Sequence, residues 1–416
     1  MKIETLALKN FKGIEALELS INGNSTVFFG NNAVGKSTVL DAVQLVFIKL
    51  FGQIGIQLSS THFSYEKIHD YRMFGKDELE VSIKISLNSL NYNFSMNTSN
   101  DYFSYGIAGD LVDTWNKLLQ EENHQIPILA YYQSHRNIRD ITMPPNNMEQ
   151  SDYSKKTAYC HAFDSYIPFV DFFTWFRERS ELENAQKAHT SLPYEDKQLS
   201  SVKSAILRML ADFSDLCMRF FPLRLVAIKH DYELQVDQLS DGEKSILCMF
   251  ADIARRLAIA NPIADNPLLG EGLVFIDEID AHLHPAMQAR IMPILIDTFP
   301  NIQFLITTHS PKILSEYVGS VIELINEDGK IHALEKPQLH LWDAGYIMQT
   351  EMNTNLYNES TLARLRKIYS LINSKKHTEA EQMISDFRAE IGNEEHPELF
   401  KAETILWGIK KNEKCS

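Results

Sequence analysis

Cysteine is scarce in this chain. Cys160, Cys217, Cys248 and Cys415 are the only four in 416 residues, and no two fall at Cys-x-x-Cys spacing. That argues against a disulfide framework and reads as reduced thiols. Long apolar runs are also missing. None approaches the roughly 18 residues that mark a membrane-spanning helix. The chain is still 44% hydrophobic, enough for a sizeable core and for roughly one to three domains. Residues 1–19 alternate like a strand and carry charges throughout, so no signal peptide is expected and the chain reads as cytoplasmic. Basic residues are outnumbered: 40 Lys and Arg against 55 Asp and Glu give a net charge of −15. This argues against a wholly basic nucleic-acid coat but leaves room for a local basic groove, because the local field governs binding. No internal repeat, low-complexity tract or sustained heptad array is visible, so a long coiled-coil arm is not expected.

What is present begins at residues 30–38, Gly-Asn-Asn-Ala-Val-Gly-Lys-Ser-Thr. They fit the phosphate-loop template Gly-x-x-x-x-Gly-Lys-Ser at every fixed position. Ser25 to Phe29 reads as a strand, and the apolar positions from Val39 to Leu50 have helical spacing. Strand, glycine loop and helix are the context in which backbone N–H groups wrap a phosphate. Gly30, Asn31, Asn32, Gly35 and Thr38 belong to this cradle. Lys36 is expected to reach the β/γ oxygens, and the Ser37 hydroxyl to hold Mg²⁺. The alternative is an ordinary glycine-rich turn. We expect a nucleoside triphosphate and Mg²⁺ as ligands.

Downstream, Leu273-Val-Phe-Ile-Asp-Glu-Ile-Asp280 is an apolar run ending in carboxylates. It reads as a buried parallel strand with its C-terminal end at a ligand site. Asp277 would support Mg²⁺, and Glu278 would polarise the attacking water. The alternative is a surface Asp-Glu turn. A second apolar strand, from Ile302, ends at His309, either a γ-phosphate sensor or a capping histidine before Pro311. Leu239-Ser-Asp-Gly-Glu243 precedes an amphipathic helix over about Glu243–Ala260. By itself it is an N-cap, with Ser240 or Asp241 followed by Gly242.

The order of these pieces resembles the ABC-type ATPases, most closely the soluble SMC-like, RecF-like and OLD-like branch. The fold implied is α/β: an ABC-type head with two lobes of mixed sheet flanked by helices, a helical insertion and a helical C-terminal tail. In that family the signature serine, here Ser240 with Gly242 beside it, meets the γ-phosphate of a nucleotide held by the other protomer. Two ATP molecules sandwiched in a head-to-tail dimer are therefore implied. Asp280-Ala-His-Leu-His-Pro285 resembles the D-loop region; a zinc reading of His282 and His284 lacks a third ligand at suitable spacing. Asn10, Phe11 and Lys12 match the family's opening, near adenine and ribose. Gln133, after the strand Ile126–Tyr132, is the candidate Q-loop glutamine completing the Mg²⁺ shell, or an ordinary surface residue.

Four expected regions follow: lobe I over 1–135, with an antiparallel flank at Leu79–Leu87 and Tyr92–Met96; a linker and mainly helical insertion over 136–221; lobe II over 222–337; and a helical region over 338–416. The linker includes Pro144-Pro145. In the insertion, Phe172, Phe173, Trp175 and Phe176 form a face that is either core or a partner or DNA platform, with Arg177 and Arg179 on the exposed side. In the tail, Thr378-x-x-Glu381 reads as a capping box and His396-Pro397 as N-cap and N1. Ala380, Met383, Ile384 and Phe387 share one apolar face, and Leu399, Ala402, Ile405 and Leu406 another. No acidic Toprim-type cluster and no His-Asn-His zinc pattern is found after His309, so an engine without its own nuclease is expected. The Asp171–Asn184 block, the Ala251–Ala258 run, the His-Leu-His-Pro stretch and the short tail together resemble the PtuA-type ATPases of Septu-like and retron-associated antiphage defence. That resemblance implies a separate HNH-type nuclease partner, self-association and nucleic acid in the complex. Two alternatives stand beside it: a RecF/SMC-like ATP-dependent DNA-binding repair factor, or an ATP-bound scaffold that does not hydrolyse.

Overall fold

The computed structural model describes residues 1–56, 58, 71–99, 102–107, 109–121, 124–134, 153–189, 194–336, 338–352, 354, 357–391 and 396–415. The Pro144-Pro145 linker lies outside the described residues. In chain order the first elements are β1 (Lys2–Phe11), β2 (Ile14–Ser20), β3 (Thr26–Phe29), α1 (Lys36–Gln53), β4 (Glu78–Leu87), β5 (Leu90–Ser99), β6 (Tyr102–Ile107), α2 (Gly109–Gln120) and β7 (Ile128–Tyr132). Then come α3 (Phe169–His189), α4 (Lys197–Met209), β8 (Phe213–Phe220), β9 (Leu223–Lys229), β10 (Tyr232–Gln235), α5 (Asp241–Ala260), β11 (Gly272–Ile276), α6 (Pro285–Thr298) and β12 (Ile302–Thr307). The chain closes with α7 (Pro311–Glu316), β13 (Ser320–Glu327), β14 (Lys330–Glu335), α8 (Ala344–Thr350), α9 (Glu359–Asn373), α10 (His377–Glu390) and α11 (Pro397–Cys415). No described helix is long and apolar enough to cross a membrane.

Contacts divide the chain into two compact units, Met1–Ile347 and Met348–Ser416. The first holds a six-stranded sheet in the order β14-β13-β3-β12-β11-β7. Its neighbours pair in parallel from β13 through β7, and only β14 runs antiparallel. The strands β3, β7, β11 and β12 are buried along their whole length, which explains their mostly apolar composition: both faces of a parallel sheet are covered. Their shared direction brings the ends of all four to one edge. An antiparallel sheet, β2-β1-β4-β5-β6, is joined to this one through Gln303 of β12. The Gln303 side chain, fully buried, accepts from Ile3 N–H at 2.6 Å and donates to the Ile3 and Asn24 carbonyls.

A third, small sheet, β10-β9-β8, corrects the expectation of a helix up to about residue 220. Phe213–Phe220 is a strand paired with β9, with Leu216 and Met218 turned inward. Its alternation is blurred by a register shift between Phe213 and Asp215. Helix α3 settles the aromatic block: Phe172, Phe173, Trp175 and Phe176 are each at most 1% exposed. They are core, and Arg177 and Arg179 are half-buried rather than projecting from a platform.

The second unit is the α9–α11 hairpin with its own core, including Leu365, Ile368, Ile384, Phe387, Leu399 and Leu406. Pro397 opens α11 as expected. Thr378 does not cap α10, which starts at His377 with Lys376 at the N-cap and no side-chain cap. Ile405 is 45% exposed, so it leaves the buried face of α11.

Helix α5 carries the most demanding polar core. Asp252 is buried and accepts from Arg255 at 2.8 Å, from Arg256 Nε at 2.7 Å and from the Tyr132 hydroxyl at 2.9 Å. Arg256 also donates to the Ala158 and Cys160 carbonyls. Burial alone would raise the Asp252 pKa, but the Arg256 and Arg255 charges and their hydrogen bonds outweigh it and hold the carboxyl below its ordinary range. Its stabilising contribution is therefore complete above the unfolded value of about 3.9 and is lost as pH falls through the lower folded value. Asp252→Asn, which strands two buried guanidinium groups, should cost about 3–5 kcal/mol at neutral pH in urea unfolding. Its stability should also depend less on pH over the acid limb than that of the parent chain.

Candidate nucleotide site

The phosphate loop, the Asp277-Glu278 pair and His309 follow the C-terminal ends of the parallel strands β3, β11 and β12, whereas the Ser240 segment follows the antiparallel β10. The phosphate loop follows β3. Its first glycine, Gly30, has φ 142°, and a Cβ there would lie 2.2 Å from the Leu324 carbonyl oxygen, so no other residue fits without backbone movement. Gly35 sits at the N-cap of α1 in the left-handed region, φ 92°, with no side-chain cap. The first N–H groups of α1 thus lack a side-chain partner and are disposed to an anion. Asn31 and Asn32 are exposed on the loop, while Ser37 and Thr38 are half-buried. Lys36 is only 6% exposed. Its Nζ donates to the Gly30 and Asn31 carbonyls at 2.9 Å each, holding the loop closed on itself. Burial lowers the Lys36 pKa; Asp277, Glu278 and Asp280 partly offset that.

Beside it, β11 pairs with β12 in register, Ile276 opposite Ile306, so Asp277 falls opposite Thr307. Asp277 Oδ1 accepts from Ser37 Oγ at 2.9 Å and from Thr307 Oγ1 at 2.6 Å. Thr307 Oγ1 in turn accepts from the Glu278 N–H at 2.8 Å. Glu278 has φ 47°, a left-handed conformation that costs a non-glycine residue energy and is held here by its neighbours. One turn on, Asp280 Oδ1 accepts from Thr308 Oγ1 at 2.5 Å and from the His309 N–H at 3.2 Å. The half-buried His309 ring has its pKa lowered by burial and then by the Lys36 charge, against the opposing carboxylates. It is therefore a neutral imidazole at neutral pH.

Gln133 lies one residue beyond β7, whose Tyr132 carbonyl accepts from the Asp277 N–H at 2.8 Å. It is beside the carboxylate, yet among the described residues no hydrogen bond joins it to Ser37 or Asp277. Ser240 is the N-cap of α5 in a full capping box: its Oγ accepts from the Glu243 N–H, and the Glu243 carboxylate accepts from the Ser240 N–H at 3.0 Å and hydroxyl at 2.8 Å. The residue is exposed. Gly242 is needed for close approach, since a Cβ would lie 2.9 Å from the His282 carbonyl oxygen. His284 caps α6 through Nδ1, which accepts from the Ala286 N–H. Near the loop, Ile14 would pack 3.2 Å from a Cβ at Gly35. Lys12 pairs with Asp41 of α1 at 2.6 Å and lies 4.9 Å over the Tyr71 ring, which also packs on Phe11.

Sequence reasoning passed over Thr307, Asp41 and Tyr71, and named Asp280 only as the start of the D-loop-like segment. For Thr307 a signal existed: it is a polar residue at the end of an apolar strand. Asp41 looks like any helical surface acid until Lys12 is beside it. Ser37 and Asp277 supply converging hard oxygen donors, the donor type Mg²⁺ requires.

A family model described as "AAA domain, putative AbiEii toxin, Type IV TA system" matches residues 25–315. The chain is 31% identical over 402 residues to "Retron Ec83 probable ATPase" of Escherichia coli, covering 80% of this chain and 73% of that protein. It is 28% identical over 430 residues to "Retron Vc95 probable ATPase" of Vibrio cholerae serotype O1 biovar El Tor, covering 89% and 84%. To "Septu protein PtuA" of Bacillus thuringiensis it is 22% identical over 357 residues, covering 83% and 82%. Among solved structures, an SMC head bound to the C-winged helix domain of ScpA superposes with a TM-score of 0.52 at 17% identity, covering 81% of this chain and 98% of that one. At that identity the likeness speaks for the fold alone. The chain belongs to this AAA domain family, is related to the retron ATPases and the Septu PtuA proteins, and has the fold of an SMC head.

Proposed function

We propose that this chain is the ATP-binding and ATP-hydrolysing regulatory subunit of an antiphage defence complex. It acts as a head-to-tail dimer and controls a separate HNH-type nuclease on nucleic acid. The observation that carries the reading is the convergence at one sheet edge of the phosphate loop, Asp277 bonded to Ser37, Glu278 and His309, in a relative of retron ATPases and PtuA. Gly30, Asn31, Asn32, Gly35 and Thr38 line the phosphate cradle, and Lys36 meets the β/γ oxygens. Ser37 and Asp277, with Gln133, would hold Mg²⁺, which when bound neutralises charge on the phosphate oxygens. Glu278 orients the attacking water and takes up its proton. The neutral His309 donates a hydrogen bond toward the γ-phosphate without adding charge. Ser240, exposed at the start of α5, and the buried Gly242 beside it serve the nucleotide of a second copy; to do so the Glu243 carboxylate gives way to phosphate oxygens, with Lys229 at 3.0 Å as its remaining partner.

Glu278→Gln should leave ATP binding intact and slow hydrolysis by about 10²–10⁴-fold, as loss of a positioned general base does, with an ATP-bound dimer accumulating on size-exclusion chromatography. Turnover within a few-fold of the parent would move the role elsewhere. Ser240→Arg should bind ATP normally as a single chain yet fail to associate on adding ATP, read by light scattering. Purified from its native host with its neighbours, the chain should carry a second protein with HNH signatures, and only that complex should cut nucleic acid. Metal-dependent cleavage by the highly purified single chain would overturn the division of labour.

A further inference from the structure

Tyr132 occupies a place that no nucleotide motif explains. It is the last residue of β7 and is buried, 4% exposed. Through its backbone it touches the nucleotide edge, because its carbonyl accepts from the Asp277 N–H at 2.8 Å. Its hydroxyl reaches the other way and donates to Asp252 Oδ2, midway along α5, at 2.9 Å. Asp252 is clamped to its own helix by Arg255 and Arg256, so a pull on its carboxylate is a pull on α5 as a body. Arg256 anchors that helix further to the carbonyls of Ala158 and Cys160. The following residue, Gln133, lines the same small crevice as Tyr132, Asp252 and Arg256. A second tie lies at the start of α5, where Gly242 abuts the His282 carbonyl on the loop that follows Glu278 and Asp280.

We propose that Tyr132 is a positioning residue that couples the Asp277 edge of the nucleotide site to helix α5, and so sets where Ser240 is presented to a second copy of the chain. The inference rests on the paired-site reading above. A buried phenol suits this role. It is rigid, and its one donor is committed to a carboxylate in a low-dielectric setting, where such a bond is strong. A shift of the strand end on phosphate binding has a direct route to the signature helix through one side chain.

Tyr132→Phe in a Glu278→Gln background removes the hydroxyl alone and leaves Asp252 with both arginines. Three quantities are read with ATP as the probe: nucleotide affinity at low protein concentration, ATP-driven self-association, and amide hydrogen exchange. In the Glu278→Gln parent, ATP should slow exchange in both α1 and α5. In the variant, α1 should keep its ATP-dependent protection and its ATP affinity, while α5 loses protection. Association should weaken by a factor of about 5–150, the usual range for coupling between sites. Unchanged α5 protection and association in the variant would overturn the bridge alone. Joint loss of α1 and α5 protection would mark general damage and overturn a selective role for Tyr132. A parent that binds ATP and protects α1 but neither protects α5 nor associates would overturn the paired-site reading, and the bridge with it.

Discussion

The structure turns on one carboxylate oxygen. Asp277 Oδ1 accepts from Ser37 at the start of α1 and from Thr307 at the end of β12, so one atom ties together the phosphate-loop helix and two central strands. Thr307 spends its remaining capacity on the Glu278 N–H, which fixes the left-handed turn that presents the Glu278 side chain. The parallel register makes this possible: β12 lies between β3 and β11, so the loop from one side and the acidic pair from the other meet across it. A shift of one residue in the β11–β12 pairing would turn Thr307 away from Asp277 and undo both Thr307 contacts.

Much of this was legible in the chain itself. Gly30, Gly35, Lys36 and Ser37 stand at fixed spacings because a backbone cradle tolerates no other geometry, and Gly30 pressed against the Leu324 carbonyl shows why. Asp277 was visible because it ends an unbroken apolar run, and His309 because it follows a mostly apolar strand. The partners that hold these residues were harder to see. Thr307 acts only through strand register, and register is a property of two segments far apart in sequence. The same blindness explains β8, whose alternation breaks at a bulge against β9, and the Thr378 box, in which a favourable four-residue pattern lost to a helix whose N-cap lies two residues earlier, at Lys376.

Helix α5 shows how a single segment serves two demands. Its N-terminus is open to solvent at Ser240, yet from Ile246 onward it is almost entirely buried. An all-apolar helix would satisfy the second demand but would slide freely along the sheet. The Asp252 cluster fixes it at one position instead, at the cost of desolvating three charged groups that compensate one another.

The sheet order also dictates when the protein becomes whole on the ribosome. β3 is made within the first thirty residues, yet both its hydrogen-bonding edges are filled by β12 and β13, which are read almost three hundred residues later. At about 5–20 residues per second, that leaves Thr26-Val-Phe-Phe29 without its sheet partners for roughly 15–60 s, an apolar segment with two open edges. The nucleotide cradle cannot assemble in that interval, because Gly30 has no Leu324 to rest against. A chain whose translation stops before β13 therefore lacks the Leu324 carbonyl that the Gly30 turn packs against.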